Sequence, residues 1–218
     1  GRDARPAART FGLQEDAGET IVTPAADQTA SLVNATCVPI KLPPFRRSRW
    51  RLLDFKNEYQ EKTNWCWAAV AASVAHFYRP ASRVTQCDIA NGQLGRSDCC
   101  AGDKDACNVY GYLMSSLFRV GHFRKWTARR SASLRETEEE IGGRRPLCVR
   151  IVWNGGGAHL VTIKGYSAAV GVPAQDNYGL AIADPWWGLS DIDAAQFPRG
   201  YVNCGTWTDT YYTRRATA

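Results

Sequence analysis

The sequence predicts an α+β fold, because helical patterns dominate its first half and strand patterns dominate its second half. The first half contains a long alanine-rich apolar segment and several stretches in which apolar residues recur at helical spacing. The second half contains runs of β-branched and aromatic residues separated by glycine-rich turns. This order indicates a helical lobe at about 56–143 and an antiparallel β lobe at about 146–212, with a cleft between them.

The composition is that of an ordinary soluble globular protein, with 44% hydrophobic and 22% charged residues in a chain of 218. No apolar run approaches the ~18 residues that a membrane span requires. The net charge of +6 comes with clusters of arginine, but no nucleic-acid-binding motif accompanies them. We therefore interpret the clusters as a solvated basic face and expect neither a nucleic acid nor a membrane as a partner.

The N-terminal segment differs in composition from the rest of the chain. Residues 1–45 are rich in Ala, Thr, Asp, Glu and Pro and show little periodicity. Such segments bury too little apolar surface to order themselves, so we interpret residues 1–45 as a flexible leader, linker or pro-segment. The folded domain is then expected at residues 46–218.

The longest apolar segment predicts a buried central helix with a cysteine in its first turn. Apolar residues recur at helical spacing from Trp67 to Tyr78, and Thr63 or Asn64 is expected to cap the start. Pro80 ends the helix, because the residue before a proline avoids the helical conformation. The helix dipole makes the N-terminus partly positive, and a thiol placed there, that of Cys66, ionises more easily to the nucleophilic thiolate.

Three further helices follow in the first half of the chain. Thr85–Leu94 is predicted as a helix that Thr85 caps and Gly95 ends. Helical spacing of apolar residues predicts another at Asn108–Val120. Ser133 with Glu136 resembles a capping box, which predicts a short acidic helix that stops at Gly142-Gly143.

Strand patterns surround the helical segments, mainly on the C-terminal side. A short strand is expected near the start of the folded domain, and a hairpin-rich sheet after the last helix. The predicted strands are Trp50–Phe55, Pro146–Trp153, His159–Tyr166, Tyr178–Asp184 and a last one near Tyr201 and Trp207–Tyr212.

Eight cysteines indicate an oxidising destination with two or three disulfides, because a reduced protein rarely carries the dense cluster between positions 87 and 107. Adjacent Cys99 and Cys100 are expected to pair with different partners. Cys148 lies in an apolar strand and is expected to stay free. The alternative is a zinc site, which is disfavoured because the cluster lacks a C-x-x-C pair and nearby histidines are few.

A histidine and an acid downstream of Cys66 complete the set that a cysteine hydrolase needs. His159 lies twelve residues before Gly171 and Asp184 lies twelve after Val172, so a hairpin centred there makes them cross-strand neighbours. An aspartate beside a histidine holds the ring in one tautomer and stabilises its charged form. We therefore predict a Cys66–His159–Asp184 triad that rests as a thiolate–imidazolium pair.

Gln60 is the candidate oxyanion donor, since it precedes the nucleophile by six residues and its amide could face the thiol together with the Cys66 backbone N–H. The other two histidines are interpreted as structural. His76 lies ~15 Å along the helix from Cys66, which is too far for a base. His122 follows a helix C-terminus, where a cation is favourable.

These residues resemble the papain-like cysteine proteases. The motifs that carry the resemblance are Gln60-x5-Cys66-Trp67-Ala, His159 at the head of a strand, and Asp184-Pro-Trp-Trp-Gly188. The chain is most similar to the bacterial branch that has the Asn-Trp-Cys-Trp-Ala-Ala motif and a Cys-His-Asp triad, and that includes effector proteases injected into plant cells. Plant and animal relatives carry asparagine at the position of Asp184 and a disulfide cysteine at the position of Thr63.

The resemblance implies a papain-like fold over about residues 55–210 and a role for each matched position. Cys66 would be the nucleophile and His159 the base. The remaining implied roles are the orienting acid for Asp184, the oxyanion donor for Gln60, and an apolar shield over the His–Asp pair for Trp186. The residues that bind substrate are not identified by these motifs.

The sequence therefore predicts a cysteine endopeptidase, either a secreted bacterial protease or an effector or toxin delivered into a target cell. One alternative keeps the same triad but acts by acyl transfer or amide hydrolysis on side-chain amides or cell-wall peptides. Another is a non-enzymatic binding module with the same fold. We expect a monomer that needs no metal or cofactor and binds a protein or peptide substrate, with an inhibitor or immunity protein as a conceivable further partner.

Overall fold

The computed structural model contains helices and an antiparallel sheet, and it describes residues 48–101, 105–169 and 178–216. The predicted leader at residues 1–45 and the predicted hairpin centre at Gly171-Val172 lie outside these ranges. The helices are α1 (Cys66–Tyr78), α2 (Gln86–Leu94), α3 (Leu113–Arg119), α4 (Leu134–Gly142) and α5 (Phe197–Gly200), with a 3₁₀ turn at Asp105–Cys107. The strands are β1 (Ser48–Leu52), β2 (Phe123–Thr127), β3 (Leu147–Trp153), β4 (Ala158–Ala169), β5 (Tyr178–Asp184), β6 (Gly188–Asp193) and β7 (Gly205–Thr213).

The central helix is present and buried, as predicted, but its start is held differently. Eleven of the 13 residues of α1 are buried, and the helix ends at Tyr78 before Pro80. Trp65 occupies the N-cap position and makes no side-chain cap hydrogen bond, so the expected cap by Thr63 or Asn64 is wrong. Both of those side chains instead bond to Asn108, with donor–acceptor distances of 2.8 and 2.7 Å.

Local capping signals predicted two other helices correctly. Thr85 forms a capping box at the start of α2, and Gly95 ends that helix with a left-handed φ of 64°. Ser133 and Glu136 form the second capping box at the start of α4. In both boxes a hydroxyl oxygen accepts a backbone N–H that has no partner within the helix, which is why the signal is readable from sequence.

Helix α3 is shorter than predicted, because the segment before it packs against α1. The indole N–H of Trp65 donates to the Cys107 carbonyl at 2.7 Å, and that of Trp67 donates to the Val109 carbonyl at 3.2 Å. A Cβ at Gly111 would lie 2.4 Å from the Trp67 ring. These contacts hold the backbone in a non-helical path, and the helix begins only at Leu113.

The strands form one seven-stranded sheet in the order β2-β7-β3-β4-β5-β6, with β1 also paired to β4. All pairings are antiparallel. Strands β2 and β6 were not predicted, because they lie at the two ends of this order and their sequences are largely polar. An edge strand buries too little to show a clear apolar alternation. β1 lies slightly earlier than expected, at Ser48–Leu52 rather than Trp50–Phe55.

The core lies between α1 and the sheet. Helix α1 packs against β4, and β5 is buried along its whole length. The largest fully buried side chains include Trp65, Trp67 and Tyr212. Burying such aromatic side chains contributes more than any other residue type to the stability of a core. None of the helices in the described ranges has the length and apolarity to cross a lipid bilayer.

The cysteine cluster forms disulfides rather than a metal site. Cys87 pairs with Cys100 and Cys99 pairs with Cys107, so the adjacent cysteines have different partners, as predicted. These bonds take the four sulfurs that the zinc alternative would need. Cys204 is also disulfide-bonded. Cys148 is free and buried, as expected, and so is Cys66.

Candidate active site

Cys66 is the first residue of α1, and its side chain lies beside His159. The residue is 7% exposed. Backbone N–H groups in the first turn of a helix have no partner within the helix and give this end a partial positive charge. The thiol lies close enough to His159 to help raise the pKa of that imidazole. Cys66 is therefore placed where a negative charge on sulfur would be stabilised from two directions.

His159 lies near the start of β4, where its backbone pairs with Ile151 of β3. Its Nε2–H donates to Oδ1 of Asp184 at 2.9 Å, and the Cys66 thiol is near enough to help raise the pKa of the ring. The imidazole therefore interacts with both the sulfur and the carboxylate.

The register that brings His159 and Asp184 together differs from the predicted one. The β4–β5 pairing ends at Thr162 opposite Ala183, with an irregularity between Ile163 and Gly165. In this register Asp184 lies level with the residue two positions after His159. The two are therefore diagonal rather than direct cross-strand neighbours, and diagonal side chains on one face remain within reach of each other.

The Asp184 carboxylate is fully buried and fully hydrogen-bonded. Besides His159, Oδ1 accepts from the backbone N–H groups of Trp186 and Trp187 at 2.6 and 3.0 Å. Oδ2 accepts from the Tyr201 hydroxyl at 2.6 Å. A buried carboxylate costs free energy unless its lone pairs are satisfied, and four donors satisfy this one.

The pKa values of this pair shift toward the charged forms. Burial by itself would lower the pKa of His159, but the charge of Asp184, the bond to Asp184 and the nearby Cys66 thiol raise it above its ordinary value. Burial would raise the pKa of Asp184, but the charge of His159 and the bonds from His159, Tyr201 and Trp187 lower it. An imidazolium held by a carboxylate is therefore the favoured state.

Aromatic rings enclose the His159 imidazole. Trp153 stacks on it with ring centroids 5.9 Å apart, and Trp187 meets it edge-on at 5.7 Å. Trp186, which the resemblance implied as the shield, is 38% exposed and has no ring contact with His159 among the described residues. Trp187 is the tryptophan of this turn whose ring lies against His159. The enclosure excludes water from the His–Asp bond.

Gln60 lies in the loop between β1 and α1, and this loop contacts the turn after Asp184. Its backbone N–H donates to the Pro185 carbonyl at 2.9 Å. Its side-chain Nε2 donates to the carbonyls of Lys62 and Thr63 at 2.8 and 2.7 Å. Both amide hydrogens are thus engaged within its own loop, and the expected role as an oxyanion donor stays a prediction that requires one of these bonds to open.

The other two histidines have structural contacts. His76 Nδ1 lies 2.6 Å from a carboxylate oxygen of Glu58. His122 is fully buried, its Nδ1 lies 3.0 Å from the Arg214 carbonyl oxygen, and its ring stacks on Tyr78. Burial lowers the pKa of His122, so its neutral form is favoured. Among the described residues, neither histidine has a contact with the Cys66 thiol.

Three contacts of the site were not found from sequence. The Tyr201 hydroxyl, 17 residues after Asp184 in the chain, donates to the Asp184 carboxylate. The Nδ2 of Asn57, which lies much earlier in the chain, donates to the Asp184 backbone carbonyl at 2.7 Å. Trp153 lies next to the predicted glycine turn, but nothing local indicated that its ring would stack on His159. The contacts of Tyr201 and Asn57 are long-range and local patterns do not encode them, whereas the Trp153 contact depends on how the short β3–β4 hairpin folds.

Comparison with known protein families identifies a match over most of the described chain. Residues 49–197 match the model of the family Peptidase_C70, described as papain-like cysteine protease AvrRpt2. The match covers more than half of the chain and includes Gln60, Cys66, His159 and Asp184, but it ends before Tyr201. No curated protein matches the chain.

Proposed function

Because the chain belongs to the family of the papain-like cysteine protease AvrRpt2, we propose that it is an endopeptidase that cleaves protein substrates through Cys66 and His159. The observation that carries the proposal is the position of His159 between two groups. Its ring bonds to the buried Asp184 carboxylate, and it lies close enough to the Cys66 thiol for the two groups to interact electrostatically. Nucleophile, base and orienting acid in this order are the parts that a thiol hydrolase requires.

In the first half of the reaction, the Cys66 thiolate attacks the carbonyl carbon of the scissile peptide. A C–S bond forms, and the His159 imidazolium transfers its proton to the departing amine as the C–N bond breaks. Asp184 holds the ring in the tautomer that presents Nδ1 to the sulfur, since Nε2 is committed to Oδ1. The product of this half is an acyl-enzyme on Cys66.

In the second half, His159 is neutral and acts as a general base. It takes a proton from water, the hydroxide adds to the acyl carbon, and the C–S bond breaks to restore the thiolate and the imidazolium. The raised pKa of His159 favours return to this resting state. The Trp153 and Trp187 rings keep other water away from the Asp184 bond.

The oxyanion of both tetrahedral intermediates needs donors near the start of α1. We assign this role to the Cys66 backbone N–H and to Gln60, whose amide would release the Lys62 or Thr63 carbonyl when substrate binds. One such donor contributes about 2.7–4 kcal/mol of transition-state stabilisation. The cleft between the helical and β lobes would hold the substrate.

The proposal extends to a secreted protein of the effector type. The two disulfides of the cysteine cluster support an oxidising destination. A delivered protease would act on proteins of the target cell. Hydrolysis of side-chain amides or cell-wall peptides remains the alternative, because the same three groups serve those reactions.

The chain contains a matched control for the test, because Cys148 is also free and buried. We expect Cys66→Ala to abolish hydrolysis of denatured casein and of a fluorogenic peptide library, while Cys148→Ala retains it. Circular dichroism and thermal unfolding establish that both variants fold. Turnover by folded Cys66→Ala would reject the role of this residue. Mass spectrometry that finds deamidated glutamine but no peptide-bond cleavage would favour the alternative.

A further inference from the structure

A cavity of about 440 Å³ lies near the C-terminal end of α1, at the opposite end from Cys66. Helix α1 has 13 residues, so ~18 Å of helix separates this end from the sulfur. The cavity is therefore separate from the proposed catalytic centre. Its lining brings together arginines from β2, from the turn after α4 and from the segment after β7: Arg124, Arg144, Arg145, Arg214 and Arg215.

The positive charge of this arginine cavity exceeds the negative charge around it. No acidic residue is among the described residues that line the cavity, and the buried carboxylate of Glu140 accepts bonds from Arg124 and Arg145. The C-terminal ends of α1 and α4 also face the cavity, each contributing about half a negative charge. About three positive charges are left unbalanced.

Three of the five guanidinium groups have no partner in the part of the chain that the structure describes. The side chains of Arg144, Arg214 and Arg215 make no hydrogen bond or ion pair with any described residue. Arg144, Arg214 and Arg215 are exposed, so water also solvates them. They nevertheless line one cavity, and an anion that enters it can accept hydrogen bonds from all three.

Arg144 is also held in a backbone conformation that an arginine rarely adopts. Its φ is 57°, in the left-handed region that favours glycine, at the position that follows the C-cap of α4. Gly142 and Gly143 immediately precede it, yet the left-handed residue is the arginine. The left-handed residue ends α4 and turns the chain, so that Arg144 and Arg145 both line the cavity.

We propose that the arginine cavity binds a small anion with several phosphate groups. Guanidinium groups bind phosphate oxygens through two parallel hydrogen bonds, which makes arginine the preferred residue for such anions. Arg145 and Arg124 are fixed by Glu140 and form the base of the site. Arg144, Arg214 and Arg215 are the free donors that close on the ligand. The site is not part of the proposed hydrolytic mechanism.

Sodium tripolyphosphate is the probe, titrated into the full-length protein by calorimetry and by thermal unfolding at constant ionic strength. We expect saturable binding of one ligand per chain and a rise of about 5 °C in Tm at a hundredfold excess over Kd. Arg214→Ala and Arg215→Ala should each weaken binding about tenfold. Arg96→Ala removes an exposed arginine of the cysteine-rich loop and should leave Kd unchanged.

Arg144→Gly separates a binding role from a structural one. Glycine adopts the left-handed conformation without strain, so the Tm of the unliganded protein should be unchanged or higher. Binding of tripolyphosphate should nevertheless weaken about tenfold. A Tm that falls without ligand while Kd is unchanged would mean that Arg144 acts only in the fold, and would count against the site.

Three results would overturn the proposal. The first is no saturable binding, or a Tm shift that potassium chloride of equal ionic strength reproduces. The second is equal weakening by Arg96→Ala and Arg215→Ala, which would place the anion elsewhere. The third is binding of citrate or heparin but not of tripolyphosphate, which would exclude small phosphate anions as the ligand. None of these measurements depends on proteolytic activity.

Discussion

The surroundings of the two free cysteines differ in what they offer a negative charge. Cys66 lies at the start of α1 close to the His159 imidazole, whereas Cys148 lies inside β3, where the Thr162 hydroxyl donates to its sulfur at 3.9 Å. Burial raises the pKa of Cys148 to about 12. Both thiols are buried, so burial alone does not make a cysteine inert or reactive. The reactivity of a thiol depends instead on whether a helix N-terminus and a charged group lie beside it.

The largest expected difference between the two cysteines is in alkylation. At pH 6, iodoacetamide should modify Cys66 at least about a thousandfold faster than Cys148, because only the thiolate reacts and Cys148 holds its proton. Peptide mass spectrometry of the time course measures both rates. In urea the two rates should become similar, which controls for sequence effects. Equal rates in the folded protein would contradict the assignment.

Removal of the orienting acid should have the next largest effect. Asp184→Ala deletes the charge that raises the pKa of His159, so we expect a loss of about a hundredfold or more in kcat/KM. The alkaline limit of the remaining activity should move to lower pH, since His159 then loses its proton earlier. Asp191→Ala changes an exposed carboxylate on β6 and should retain the wild-type profile. An unshifted alkaline limit in Asp184→Ala would contradict the coupling.

The His159–Asp184 pair should also shape the dependence of stability on pH. The pKa of Asp184 is lowered, so its contribution is full above its unfolded value near 3.8 and disappears as pH falls through the folded value. The pKa of His159 is raised, so its contribution is full below 6.5 and disappears as pH rises through the folded value. The difference in unfolding free energy between wild type and Asp184→Ala should therefore peak between pH 3.8 and 6.5. Urea unfolding at several pH values measures this, and a flat difference would argue against the pair.

Tyr201 should contribute a smaller effect through Asp184. Tyr201→Phe removes the donor to Oδ2, and a hydrogen bond to a charged group contributes about 1.5–3 kcal/mol. We expect a loss of this size in unfolding free energy and about a tenfold loss in kcat, with an alkaline limit that shifts in the same direction as in Asp184→Ala. Tyr166→Phe, in a ring stacked on Tyr178, is the control. A stability loss without any change in the pH profile would reduce Tyr201 to a packing role.

The smallest expected contrast is between the two adjacent tryptophans. Trp187→Ala removes a ring that lies against His159 and should lower kcat/KM several-fold and stability by about 1–2 kcal/mol. Trp186→Ala changes a more exposed side chain and should cost less than about 0.5 kcal/mol. Unfolding and peptide-hydrolysis assays of both variants measure the contrast. The reverse order would restore Trp186 as the shield.

Short sequence motifs predicted correctly those helix ends that are fixed by contacts between residues close together in the chain. The capping boxes at Thr85 and Ser133 and the stop at Pro80 were readable because each involves residues within four positions of one another. The start of α3 and the cap of α1 were not predicted correctly. They depend on hydrogen bonds of Asn108 and of the Trp65 and Trp67 indoles, and these bonds join residues about 42–45 positions apart in the chain. The edge strands β2 and β6 lacked an apolar pattern.

The sequence by itself determined the candidate catalytic residues of this protein: a cysteine in the first turn of an apolar helix, a histidine at the head of a strand and an aspartate at the end of the next one. It did so because these signals depend on residue type and short spacing. Tertiary structure alone decided the diagonal register of His159 and Asp184, the choice of Trp187 over Trp186, the Tyr201 contact and the gathering of five arginines in one cavity. Each of these brings together residues from separate elements, and their distances follow from how the sheet and the helices pack.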